Sequence, residues 1–369
     1  MRIEDVSILM PCGVFQKGSI EFDDIIQKVE TRTNENTGTG PYLIPGLIDI
    51  HSHGALNSDH SDGSKDGMQE MAAFYAKNGV TSFLATTLTI PTEELTCAMQ
   101  NIAQYERPAN GARCVGINME GPFFSYEKRG AHPHELLLNP DISMFEKLFA
   151  VSEQSIKLVS IAPELPGGID FIREISKLCN VSLAHSTADY QTAMQAFENG
   201  ATHVTHLFNA MNPFLHRDPG IIGAALDARA YVEMICDGIH LHPSVVRAMY
   251  KMFPERVCMI SDSVRSAGLP DGNYHSAGLP IIVKDGKATL ENGTIAGSNI
   301  SLMQGVRYAV DFGIPLELAL SAATVNNARA IGVEAKIGSL IPGAYADMVL
   351  LDNNLNIQKV YISGKELLH

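Results

Sequence analysis

This chain has no block of lysine and arginine, no CxxC pair and no apolar run long enough to cross a bilayer. Each absence removes a class of function. Phosphate backbones are bound by clustered cations, so a formal net charge of −14 argues against nucleic acid as a partner. A small anionic substrate stays open, provided a local positive pocket receives it. A bilayer span needs ~20 consecutive apolar residues, so no membrane segment is expected. The six cysteines stand at Cys12, Cys97, Cys114, Cys179, Cys236 and Cys258. Unpaired in spacing, and four of them in or beside apolar runs, they suit buried free thiols in a reducing compartment and not a zinc–thiolate site. The opening MRIEDVSILMPCG carries early acidic residues without a basic leader, so no signal peptide is expected and the cytoplasm is the expected location.

What is present is a well-buried globular composition, 45% hydrophobic and only 18% charged. Eight short apolar runs read as strands, and five of them end at candidate metal ligands or proton carriers. His51 and His53 follow LIPGLIDI, Glu120 follows CVGINM, His185 follows VSLA, His206 follows THVT, and Asp262 follows VCMIS. The other three runs are VTSFLATT (80–87), KLVSIA (157–162) and YVEMIC (231–236). Helix-length segments separate most of them, including residues 66–78, a helix opened by Pro91, and HPSVVRAMYKMF. Eight parallel strands alternating with helices close into a (β/α)8 TIM-type barrel, which gathers every strand C-terminus on one face. Residues more than 200 positions apart then meet at one mouth. The first 44 residues and the last 33 read instead as short strands and turns, which alone could not bury a sheet face. They are expected to form one small β-sandwich domain, 1–44 plus 337–369, around a barrel spanning 45–336. Between Ser263 and Ser298 the rhythm breaks, and GLPIIVKDGKATLENGTI reads as an added hairpin near the mouth.

Each candidate residue has a plain structural alternative. His51-Ser-His53 points two imidazoles to one side of an extended chain, where both can bind one cation; alone, it reads equally as two surface histidines. Glu120 could be a solvent-facing turn residue, but a carboxylate ending an apolar run needs a cation or donors if buried. His185 and His206 could each be a satisfied core histidine, yet they end strands one αβ step apart. Asp262 can be a ligand, a general base, or both. Imidazole and carboxylate without thiolate suit Zn²⁺ or Fe²⁺. Toward a substrate, Arg217 offers the planar donor fork that phosphate prefers. His240 in DGIH, His132 in RGAH, and Asn209 and Ala210 in FNAM stand in loops beside strand ends.

At these residues the chain resembles the amidohydrolase superfamily and, within it, the N-acetylglucosamine-6-phosphate deacetylase family. The segments that carry the resemblance are PGLIDIHSHG, MEGPF, RGAH, LAHS, THLFNAM, HRDPG, DGIH, ISDS, TIAGS and GSLIPGAYADMVLLD, from about Pro45 to Asp352. The resemblance implies removal of the N-acetyl group from a phosphorylated amino sugar by a homodimer holding one or two divalent ions. It implies Glu120, His185 and His206 as ligands of the main metal, Asp262 as general base and then acid, and His132 as a group that polarises the amide carbonyl. Ala131, Asn209, Ala210, Arg217 and His240 would contact sugar and phosphate, with Arg217 serving its own or the neighbouring subunit's site. Ile295, Ala296, Gly297 and Ser298 would line the pocket. Some family members lack the second histidine of the first motif. Here the pair is complete, which favours a second position made by His51, His53 and Asp262 with Glu120 shared. The run KLVSIAPE offers no lysine on the inner face as an alternative bridge. The competing expectations are the galacto epimer as substrate, another amidohydrolase reaction, and a non-catalytic sugar-phosphate sensor.

Overall fold

A computed structural model describes residues 1–32 and 40–367. Most of the polar stretch TRTNENTGTGP, residues 33–39, lies outside the described residues, as do residues 368 and 369. All eight expected strands are present and run parallel in one sheet. They are Leu47–Ser52, Val80–Thr87, Arg113–Glu120, Ile156–Ile161, Asn180–Leu183, His203–Val204, Tyr231–Ile235 and Val257–Ile260, called barrel strands one to eight below. Strand two is buried at every position, as expected of a strand covered on both faces. The ring closes at its mouth. Ser52 and Ser263 form a parallel bridge, the Asp262 N–H donates to the His51 carbonyl at 2.9 Å, and the His53 N–H donates to the Ser263 carbonyl at 2.8 Å.

The outer helices follow from apolar spacing and caps. In helix Lys65–Lys77, Met68, Met71, Ala72, Tyr75 and Ala76 form one buried stripe at i, i+3, i+4, i+7 and i+8. Ser64 caps it by accepting from the Gly67 N–H at 3.1 Å, a contact worth about 1 kcal/mol. The helix expected to open at Pro91 runs Thr92–Ala103, with Pro91 as the capping residue.

The two chain ends share a second sheet. Its strand order is Lys365–Glu366, Ile357–Ile362, Met348–Leu351, Tyr42–Pro45, Arg2–Leu9, Phe15–Phe22, Ile26–Thr31. The pairing of Met348–Leu351 with Tyr42–Pro45 joins the ends of the chain. Phe22 and Tyr361 stand on strands four places apart in this order, yet their rings meet edge-on at 5.5 Å. The sheet therefore folds over itself as a sandwich around Val6, Ile8, Ile20, Phe22, Leu43, Met348 and Tyr361. Arg113, at the start of barrel strand three, ties this layer to the barrel. Its guanidinium donates to Ser363 Oγ at 2.9 Å, lies 3.6 Å from Asp347, and stacks 4.4 Å over Tyr345.

Two expectations need correction. The added hairpin is a three-stranded meander, Gly272–Ser276, Leu279–Lys284 and Lys287–Thr289. Both of its turns have two central residues at positive φ, Ala277 (45°) with Gly278 (77°) and Asp285 (53°) with Gly286 (74°). That is the turn whose twist suits a tight hairpin, so each pair reverses the chain and a third strand follows. All six cysteines are free, but only Cys236 and Cys258 are fully buried; Cys12 and Cys97 are exposed.

Candidate metal centre and cavity

The barrel topology brings His51, His53, Glu120, His185, His206 and Asp262 together, all of them buried. Glu120 ends strand three, while His185, His206 and Asp262 each stand two residues beyond a strand. Those last three adopt left-handed backbone, with φ of 47°, 28° and 49°. Side-chain-bearing residues pay roughly 1–3 kcal/mol for that conformation, and it clusters at functional sites.

Glu120 is the hub. Its Oε1 lies 3.3 Å from His185 Nε2, 3.1 Å from His206 Nε2 and 3.5 Å from His51 Nε2. Its Oε2 lies 3.2 Å from His53 Nε2 and 3.6 Å from His132 Nε2. Asp262 Oδ1 stands 3.5 Å from His51 Nε2 and 3.4 Å from His53 Nε2. Two ligand groups share the one carboxylate: Glu120 with His185 and His206, and Glu120 with His51 and His53.

Proton accounting tests whether a cation fits. A neutral imidazole carries one N–H. His185 places Nδ1 2.8 Å from the Lys128 carbonyl, which can only accept, so the proton sits on Nδ1. Its bare Nε2 then faces Glu120 Oε1 and, at 3.1 Å, His206 Nε2. Burial, with His132 and His206 close by, holds the His185 imidazole down to about 4 despite Glu120, so it is neutral at ordinary pH. His51 likewise directs Nδ1 at Glu233 Oε2, 2.9 Å away, and turns Nε2 toward Glu120, Asp262 and His53. The bare Nε2 of His185 and the carboxylate oxygens of Glu120 and Asp262 converge. Against the burial that opposes its charge, Glu120, Glu233 and Asp262 hold the His51 imidazole well above its usual range. Positive charge, as bound protons or a metal ion, is what such a convergence accommodates. Burial opposes charge on His53, yet Asp262 and Glu120 outweigh it and lift that imidazole to about 9. The carboxylates draw positive charge inward, and the close ion pairs of Glu120 and Asp262 run to histidines. Burial raises Asp262, but His51 and His53 hold it net below the usual carboxylate range. The nitrogen and oxygen donor set fits a divalent Zn²⁺ or Fe²⁺ ion.

Above the cluster opens a cavity of about 460 Å³. Of the residues named from sequence, His53, Glu120, Ala131, His132, His185, His206, Asn209, Ala210, His240, Asp262, Ile295, Ala296 and Gly297 line it. His51 lies beneath, fully buried. Two residues stand elsewhere. Arg217 is exposed, its Nη1 2.7 Å from His216 Nε2, outside its own chain's cavity. Ser298 turns its hydroxyl to the Ser261 carbonyl while its N–H donates to the Asp262 carbonyl at 2.8 Å, so it braces the strand end from behind.

Three features escaped the sequence reading. The meander supplies Ser276, Ala277 and Ile281 to the cavity wall. Asp237 Oδ2 binds His240 Nδ1 at 2.7 Å and leaves the other ring nitrogen for the cavity. Burial opposes ionisation of Asp237, but His240 holds it below the usual range. Glu233 lies inside YVEMIC, where a lone carboxylate in an apolar strand is its one signal in the sequence.

The fold and donor set define a metal-dependent hydrolase of barrel type, and the chain belongs to the amidohydrolase family, whose model matches residues 42–367. It is similar to N-acetylgalactosamine-6-phosphate deacetylase of Escherichia coli O157:H7, 37% identical and covering 88% of this chain and 87% of that one. It is also similar to N-acetylglucosamine-6-phosphate deacetylase of Bacillus subtilis (strain 168), 33% identical over 97% of this chain and 94% of that one. Among solved structures, a mutant N-acetyl-D-glucosamine-6-phosphate deacetylase from Mycobacterium smegmatis, in complex with N-acetyl-D-glucosamine-6-phosphate, superposes with a TM-score of 0.92. That protein is 30% identical, and the match covers 100% of this chain and 99% of that one.

Proposed function

We propose that this protein hydrolyses the N-acetyl group of N-acetyl-D-glucosamine 6-phosphate, giving acetate and D-glucosamine 6-phosphate. The observation that carries the reading is the Glu120 carboxylate shared by two ligand groups, one with His185 and His206 and one with His51 and His53, at the mouth of the barrel next to Asp262. Glu120, His185 and His206 would hold one divalent ion, and His51, His53 and Asp262 offer a second position beside Glu120. Such an ion supplies Lewis acidity, making water nucleophilic near neutral pH and polarising a carbonyl.

The chain's own residues do the rest. Asp262, kept ionised at the cavity wall, accepts the proton of the attacking water and returns it to the departing amine nitrogen, which breaks the C–N bond. His132 lines the cavity 3.6 Å from Glu120 and donates to the amide carbonyl oxygen as charge builds there. Asn209, Ala210 and His240 contact sugar and phosphate, with Asp237 orienting His240. Arg217, exposed and outside its own cavity, serves the partner's site in a homodimer. Among the described residues no helix is long and apolar enough to cross a membrane. The proposed catabolic reaction suits an enzyme of the cytoplasm.

The similarity to a galacto-specific relative supports a second reading, deacetylation of N-acetyl-D-galactosamine 6-phosphate. Acetate release from both epimers by the purified, metal-loaded protein separates the two. Preference for the gluco substrate is expected, preference for the galacto substrate moves the assignment to the second reading, and no acetate from either overturns both. Ammonia in place of acetate would mark a deaminase. Light scattering reads the dimer, and a monomer with full activity would remove Arg217 from the site.

A further inference from the structure

Glu233 stands in the middle of barrel strand seven, and its side chain is fully buried. A carboxylate sealed there is costly unless paired. Its Oε2 lies 2.9 Å from His51 Nδ1 and accepts the backbone N–H of His206 at 3.3 Å. Its Oε1 has no hydrogen-bond partner among the described residues. Its main-chain carbonyl accepts the Leu207 N–H at 2.8 Å. This one residue therefore touches a side chain of one ligand group and the backbone of the other. His206 is also one of the residues in left-handed backbone, with φ of 28°, so its placement depends on such external contacts.

We infer that Glu233 is the positioning residue of the metal centre: it fixes the tautomer and ring rotation of His51 and anchors the turn that presents His206. The inference rests on the metal-binding reading above and goes beyond the ligand set. The physical reason is general. A ligating imidazole needs a bare nitrogen toward the metal, and a carboxylate on the opposite nitrogen secures it while making the ring a better donor. His185 receives the weaker, uncharged version of the same support from the Lys128 carbonyl. His51 is the ligand with a charged one.

The test loads the full chain with Zn²⁺ and titrates it with a chelator, following retained metal by mass spectrometry. Glu233→Gln preserves shape and removes the charge; Glu233→Leu removes both charge and acceptor. Outer contacts of this kind are worth about 10–100-fold in metal affinity, so Glu233→Gln is expected to release Zn²⁺ at correspondingly lower chelator concentration, and Glu233→Leu lower still. Unchanged chelator resistance in Glu233→Gln overturns the inference. So does a variant whose metal-free form melts earlier while its Zn²⁺ affinity is unchanged, since that is the mark of a merely structural role. A third measurement needs no variant: nitrogen-15 spectra of Zn²⁺-loaded wild type should show His51 protonated at Nδ1, and a proton at Nε2 overturns the assignment. Wild type that retains no metal at all would fail the metal reading itself, a result distinct from equal binding by wild type and variant.

Discussion

Replacing Asp262 with asparagine isolates the proton-transfer step. The amide has nearly the shape of the carboxylate but cannot accept a proton. The main-chain contacts at this residue, the N–H to the His51 carbonyl and the carbonyl to the Ser298 N–H, do not involve the altered atoms. The barrel mouth should therefore hold its form. Asp262 is ionised because His51 and His53 outweigh the burial that opposes charge, so the wild-type base is available without a preceding proton loss. Positioned general acid–base catalysis contributes about 10²–10⁴-fold, equivalent to about 3–5 kcal/mol of barrier. Asp262→Asn should lower kcat for acetate release by that factor, with a much smaller change in KM, because a step in the transition state is lost and not ground-state binding. The assay pairs acetate release with metal content and with a thermal melt. Turnover equal to the parent at equal metal content would refute Asp262 as the proton carrier.

Three other perturbations probe separate parts of the structure. Glu120→Ala removes the carboxylate shared by both ligand groups, so elemental analysis should find little bound metal, and full metal content would contradict the ligand assignment. His60 is buried against Phe83, and burial, helped by nearby His53, holds its imidazole down to about 3. A lowered folded-state value means the unfolded chain takes up a proton that the folded chain refuses, so stability is full above about pH 6.5 and drains away as pH falls toward 3. Between pH 7 and pH 5 the loss from this residue is about 2 kcal/mol, and urea midpoints of His60→Leu should flatten over that range by a similar amount. Arg113→Ala strips Asp347 of its nearby cation and Ser363 of its donor, and should cost about 2 kcal/mol in urea unfolding while leaving kcat unchanged. An unchanged midpoint would show that Arg113 does not join the two layers.

The barrel was legible because its logic is local. Each of the eight strands is a short apolar run, and the chemistry begins where the run stops, so LIDIHSH and VCMISD announce both an element and a ligand. The small sheet was legible only as a partnership of the two ends. Its order, with Tyr42–Pro45 between Arg2–Leu9 and Met348–Leu351, depends on pairings across more than 300 residues that no local pattern encodes. The turns Ala277-Gly278 and Asp285-Gly286 could have revealed the third strand of the meander. Asp285-Gly286 is a recognised reversal pair, while Ala277 enters left-handed backbone against its ordinary preference. Arg217 and Ser298 illustrate a further limit. Sequence proximity to a motif does not say which way a side chain turns, and Ser298 turns to Ser261 because that carbonyl lies within reach. Glu233 was hidden by its setting, since a strand named for its apolar residues draws attention away from the one that is charged.

The ring has a seam between its first and last strands, and that seam is stitched at the mouth by the backbone of His51, His53, Asp262 and Ser263. The last joint of the cylinder is thus made by residues of the candidate site itself. Assembly of the site cannot run ahead of closure of the wall, nor can the wall part there without scattering the site. A chain caught half-built would be inert toward any acetylated sugar it met, and catalytic competence in this architecture reports that the whole circle has been completed.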